Sequence, residues 1–177
     1  MSLKSKELFI LIGDDCTGKT TFQKRLISKL TDKGDYARLD TNLKFNITHS
    51  DIKRKYETIS FINRSYQEKD YGGSVKDYFE KFFTPADICV LSSHLVLTDV
   101  SEMIENAKSR FYNVTGVFFS NSISNNENGN REISSLNWDN RIVIDNPIVE
   151  DSDKIEFQIS RAADDFLLFL INKLNRL

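Results

Sequence analysis

Short apolar runs alternate with amphipathic stretches along the chain, and this alternation predicts the fold. Leu8–Ile12 is a continuous apolar run that ends at a glycine, and it reads as a buried strand. Phe22, Leu26, Ile27 and Leu30 then recur at helical spacing, with Gly34 as the stop. Tyr36–Asp40 reads as a second short strand, and a polar helical region is expected from about Asp51 to Phe83. Asp87–Ser92 has a continuous apolar centre and reads as the third strand. Val100, Met103, Ile104, Ala107 and Phe111 mark one helix face, and Asp99 and Glu102 are spaced like a capping box. Val114–Phe119 and Arg141–Asp145 read as the fourth and fifth strands. A final helix carries Ile155, Ile159, Ala163, Phe166 and Leu170 on one stripe.

Strands that alternate with helices predict an α/β class: a three-layer sandwich around a mainly parallel sheet. Right-handed crossovers leave few topologies for it. No internal repeat and no interdomain linker interrupts the pattern, so residues 1–177 read as a single domain. Asn121–Asn130, "NSISNNENGN", is rich in Asn and Ser and reads as a mobile, lid-like loop continuing to about residue 140.

Composition narrows the classes. A chain of 177 residues with 40% hydrophobic and 28% charged residues is an ordinary globular composition. Its formal net charge of -2 argues against a nucleic-acid surface. Phe166–Ile171 is too short to span a bilayer, and Leu8–Ile12 too short for a signal-peptide core, so no membrane partner is expected. Cys16 and Cys89 fit neither a metal spacing nor a disulfide framework, which makes a reducing cytoplasm the simplest compartment.

Candidate chemistry begins where the first strand stops. Gly13-Asp14-Asp15-Cys16-Thr17-Gly18-Lys19-Thr20 fits G-x-x-x-x-G-K-[ST] in full. The glycines permit turns that a side chain would block, and successive N–H groups then form an anion nest at a helix N-terminus. Gly13, Asp14, Cys16, Thr17, Gly18, Lys19, Thr20 and Thr21 are therefore the expected nucleotide contacts. Lys19 would reach the β- and γ-phosphates, and Thr20 would offer its hydroxyl to Mg²⁺. ATP is favoured over GTP, since the nearest guanine-reading string, Asn172-Lys173-Leu174-Asn175, lacks the final Asp and sits in a helix. A motor or transport ATPase would end a neighbouring strand in an acid, whereas the third strand runs into Ser92-Ser93-His94.

Several pieces together resemble the thymidylate kinase branch of the nucleoside monophosphate kinases. The loop carries Asp15 in a G-x-D pattern, "FINRS" at Phe61–Ser65 looks like the family's F-x-A-N-R segment, and "NWDNRIVID" resembles its lead into the final strand. The resemblance implies a P-loop fold with a five-stranded parallel sheet, a monophosphate site and a lid, and the polar helical region, at about residues 42–85, would be the acceptor-binding insert. It implies that Asp15 lies near the acceptor's sugar and phosphate, that Arg64 grips the acceptor phosphate and that Phe61 lies near the acceptor base. The family's Asp-Arg pair after the third strand is absent here; Ser92, Ser93 and His94 stand in its place. Other small-molecule kinases place small or hydroxyl residues there.

Further candidates are Asp40 and Ser93, at strand ends where such sheets bind ligands, and Arg131, as a lid arginine over the moving phosphoryl group. Asp40 alternatively caps a turn, and Arg131 alternatively solubilises the surface. The expectation is thus a Mg·ATP-dependent kinase with Lys19, Asp15 and Arg131 at the chemistry. Its acceptor is a nucleoside monophosphate or, as runner-up, another small hydroxylated metabolite. A non-catalytic nucleotide switch and a nucleic-acid end kinase are the competing classes, and a homodimer is compatible with the sequence.

Overall fold

The computed structural model describes residues 5–34, 39–68 and 73–175. Its sheet is six-stranded, in the order β2-β3-β4-β1-β5-β6. The strands are β1 (Lys6–Ile12), β2 (Asn42–Asn46), β3 (Thr58–Ile62), β4 (Ile88–Ser93), β5 (Tyr112–Phe119) and β6 (Asn140–Ile144). All neighbouring pairs are parallel except the edge pair β2–β3.

Strand β1 is central because both its faces are apolar. Phe9 and Leu11 point to one side, and Leu8, Ile10 and Ile12 to the other; all are fully buried. On the first side lie α1 (Lys19–Leu30) and α7 (Ser152–Asn175), whose Phe22, Leu26, Ile159, Ala163, Phe166 and Leu170 share a core with Phe9. On the second lie α3 (Val75–Phe82), α4 (Leu97–Ser109) and α6 (Glu127–Ser134), packed through Tyr78, Phe79, Met103, Ile104 and Ile133. Two short helices, α2 (Ser50–Lys53) and α5 (Ser120–Asn125), complete the set. The result is the three-layer α/β sandwich expected from the alternation, with one strand more.

That extra strand corrects the expected polar helical region. Thr58–Ile62 is a β-branched and aromatic run, and it pairs in parallel with β4. Leu43 and Phe45 alternate with polar neighbours, so β2 forms a half-buried edge antiparallel to it. The segment around residues 42–85 is therefore two sheet strands with helices α2 and α3, not a helical insert. Of the strand expected at Tyr36–Asp40, residues 36–38 lie outside the described residues, and Leu39 and Asp40 have no regular structure.

The Asn-rich segment is a second correction. It is helical, as α5 and α6, rather than a loop. Its asparagines cap instead of breaking: the Asn126 side chain accepts from Gly129 N, and buried Asn130 donates to Ser122 O and Asn126 O. The capping box also falls elsewhere, at Ser74 and Asp77 ahead of α3, while α4 starts after Val96.

Candidate functional site

Parallel order brings the ends of β1, β3, β4, β5 and β6 to one edge of the sheet, where open α/β sheets bind ligands. The Gly13–Thr20 loop leaves β1 at the middle of that edge. Gly13 N donates to Ser93 O at 3.1 Å, which ties the loop to the end of β4. Gly18 is the residue before α1 and has φ +97; a Cβ there would strike Ile159 Cδ1 at 2.8 Å. Only glycine meets both demands. Cys16 also lies in the left-handed region, at φ 61, and is exposed.

The loop is braced from β5 and β6. Asn121 and Asn146 both donate side-chain N–H groups to Thr17 O, at 3.3 and 3.1 Å. A trans peptide sets N–H opposite C=O, so these bonds turn the Gly18 N–H away from the two amides. Thr17 Oγ1 donates to Asp14 O at 2.9 Å and closes the turn internally.

Lys19 folds back over the loop. Its Nζ donates to Gly13 O and, at 2.7 Å, to Asp14 O. Burial lowers its pKa to about 8, while the charges of Asp15, Asp14 and Glu68 pull in the opposite direction. Thr20 Oγ1 donates to Asn63 Oδ1, 3.2 Å away at the end of β3.

Two cavities flank the loop. One, of about 310 Å³, lies between Cys16–Gly18 and the segment 146–149, with Asn121, Asn125, Ile155 and Gln158 in its wall. The other, of about 290 Å³, opens towards β3 and β4 and is lined by Asp15, Lys19, Thr20, Asn63, Glu68 and His94. Asp15 Oδ1 is 3.6 Å from His94 Nε2. The backbone of His94 is pinned: its N–H donates to Gln67 Oε1, and its C=O accepts from Ser93 Oγ and Val96 N.

The expected site residues divide accordingly. The loop residues, Asp15 and Ser93 come together at the mouth, although buried Ser93 reaches the site through its bonds with Gln67 and His94. Phe61 does not join them: it lies inside β3, 1% exposed, with its ring 6.4 Å from that of Phe45, because the "FINRS" segment begins as strand, at Phe61 and Ile62, and none of it is helix. Arg64 follows β3, with its guanidinium 3.8 Å from Glu68 and its carbonyl accepting from Tyr78 OH. Asp40 is exposed next to Thr41, whose carbonyl accepts from Asn63 N. Arg131 sits on the solvent side of α6, paired with Glu127 one turn back.

Asn63, Glu68, Asn121 and Asn146 were missed as candidates. Their signal was positional: Asn63 directly follows the apolar end of β3, and Asn146 follows that of β6 with Asp145 between, both at the edge where the Gly13–Thr20 loop lies. Comparison with known proteins matches this chain to no family model, no curated protein and no solved structure.

Proposed function

We propose that the protein binds a nucleoside triphosphate, ATP in the first place, and transfers its γ-phosphoryl group to a small acceptor. The observation that carries this is positional. A complete G-x-x-x-x-G-K-T loop leaves the central parallel strand, opens directly into α1 and has a cavity on either side. The loop would hold the phosphates on its N–H groups and the start of α1. The cavity at 146–149, with apolar Ile148, Val149 and Ile155 beside side-chain amides, suits a flat base. The cavity at Glu68 and His94 would take the acceptor.

Mg²⁺ takes hard oxygen ligands and usually arrives with phosphates and water rather than in an all-protein cage. Thr20 and Asn63 offer a hydroxyl and an amide oxygen side by side, and they fit that role. Such an ion would neutralise phosphate charge. The protein's own part is positioning and electrostatics, which phosphoryl transfer chiefly requires. Lys19 must leave Gly13 O and Asp14 O for the incoming phosphates and would then move with the transferring charge.

The resemblance implies a nucleoside monophosphate acceptor; Ser92 and Ser93 at the end of β4, with His94 after it, favour a small hydroxylated metabolite instead. The test is ADP release from Mg·ATP with both acceptor classes, alongside ATP binding, in wild type and Lys19→Ala. Acceptor-dependent release that the variant abolishes supports a kinase. Tight ATP binding with no transfer supports a nucleotide switch, and no ATP binding refutes the proposal.

A further inference from the structure

Resting on that reading, the charge of the acceptor cavity bears on what it accepts. Among its described lining residues the full charges are Lys19, which the donor's phosphates would engage, and two carboxylates, Asp15 and Glu68. Arg64 has its guanidinium beside Glu68, 3.8 Å from the carboxylate. A phosphate monoester is close to dianionic at neutral pH and calls for paired cations. Two carboxylates would repel it. A neutral hydroxyl meets no such repulsion, and it brings a different need: its proton must go somewhere as it attacks.

The cavity supplies a place for that proton. His94 follows β4 on a backbone held by Gln67, Ser93 and Val96, and it lines the same cavity as Lys19 and Thr20. Asp15 lies 3.6 Å from its Nε2. That distance is longer than a hydrogen bond and short enough for a small side-chain movement to make one. A carboxylate on one ring nitrogen fixes the tautomer and leaves the other as a base, the division of labour seen wherever an acid orients a catalytic imidazole.

We infer that the acceptor presents a neutral hydroxyl, as a polyol, sugar, nucleoside or hydroxyamino acid does, and that His94, positioned by Asp15, removes its proton. The acceptor oxygen forms a bond to the γ-phosphorus as the bond from that phosphorus to the β,γ-bridging oxygen breaks. ADP leaves with that electron pair. The hydroxyl proton passes to Nδ1 of His94, the ring nitrogen that does not face Asp15, and the imidazolium is held by the Asp15 carboxylate until it is released to solvent. Glu68, at the same mouth, selects further against anionic acceptors.

The experiment measures ATP binding and ADP release with two acceptor panels, neutral hydroxyl compounds and nucleoside monophosphates. It also measures slow hydrolysis, in which water is the hydroxyl acceptor. Variants are His94→Ala, Asp15→Asn and the two together. Expected is release with a neutral hydroxyl compound or water, a kcat lowered about 100-fold or more in His94→Ala, ATP affinity within about threefold, and partial rescue of that variant by added imidazole. Asp15→Asn lowers kcat less, and the double variant is no worse than His94→Ala, as expected of groups that act as one unit. Three results overturn the inference: transfer confined to nucleoside monophosphates, a His94→Ala rate within twofold of wild type, or ATP bound with neither transfer nor hydrolysis. Absent ATP binding would instead sink the nucleotide reading beneath it.

Discussion

Asn146 and Thr17 are 129 residues apart in sequence and share a hydrogen bond of 3.1 Å at the base of the anion loop. The Asn146 side chain is buried, and its backbone N–H donates to Ser120 Oγ at 2.8 Å. One side chain thus joins the ends of β5 and β6 to the loop after β1. Asn146→Ala leaves Thr17 O with Asn121 alone and frees the peptide that aims the Gly18 N–H. A loss of about 1–2 kcal/mol is expected for a buried bond of this kind. Urea unfolding should show that loss, and ATP titration should show affinity falling about tenfold, with a smaller effect for Asn121→Ala. Equal, negligible effects on affinity would remove the brace from the account.

Lys19 makes stability depend on pH in a direction opposite to that of an ordinary paired lysine. Burial depresses its folded pKa to about 8, below the 10.5 of the free side chain. Between those values the unfolded chain holds the proton that the folded chain has lost, so stability rises with pH across the interval. The penalty is fully present below pH 8 and is relieved as pH approaches 10.5. The gain is up to about 3 kcal/mol relative to a variant without the amine. Urea melts of unliganded wild type and Lys19→Met at pH 7.5 and 10 should diverge in this way. Bound phosphate favours the charged amine, so calorimetry at pH 9 in buffers of different ionisation enthalpy should show proton uptake with ATP. Parallel melts would mean that the amine is not desolvated.

Arg131 tests the lid. Its guanidinium reaches Glu127 on the exposed side of α6, and both side chains are about 70% accessible (69% and 70%). An exposed pair of this kind contributes little. Arg131→Ala is expected to keep stability within about 0.5 kcal/mol and to leave ATP binding and ADP release within twofold. A large fall in kcat with unchanged stability would restore Arg131 to the site and require α6 to move during turnover.

How much of this was legible follows from where the information sits. Leu8–Ile12 and the centre of Asp87–Ser92 are continuous apolar runs, and Val114–Phe119 is broken only by Thr115 and Gly116, because those strands are covered on both faces, and the sequence marks them clearly. Strand β2 is half exposed at an edge, and β3 lies between polar segments, so both merge into their surroundings. Asn126 and Asn130 resemble loop residues because the chemistry that suits turns also suits helix caps. The anion loop is contiguous and could be read in one glance. Thr20–Asn63 and Thr17–Asn146 join residues 43 and 129 positions apart, and only the strand order makes them neighbours.

At the opposite edge of the sheet, Glu7 is fully buried at the start of β1 and is met by Lys173 from the last turn of α7. Tyr56 OH and Asn113 Nδ2 donate to the same carboxylate, each at 3.2 Å. The phenol of Tyr56 is pushed well above its ordinary pKa, first by burial and then by the Glu7 charge, so it stays a donor. Lys173 joins the final helix to the central strand, and its removal strands a buried negative charge. Breaking one side of a buried pair costs about 3–5 kcal/mol, whereas neutralising both sides costs much less. Lys173→Met should therefore be the more damaging single change in urea unfolding, and adding Glu7→Gln to it should recover part of the loss. The recovery separates a charge effect from simple loss of packing, since a second packing defect in the same place would deepen the first. If the double variant is less stable than Lys173→Met, the ammonium is not what holds Glu7 in the core.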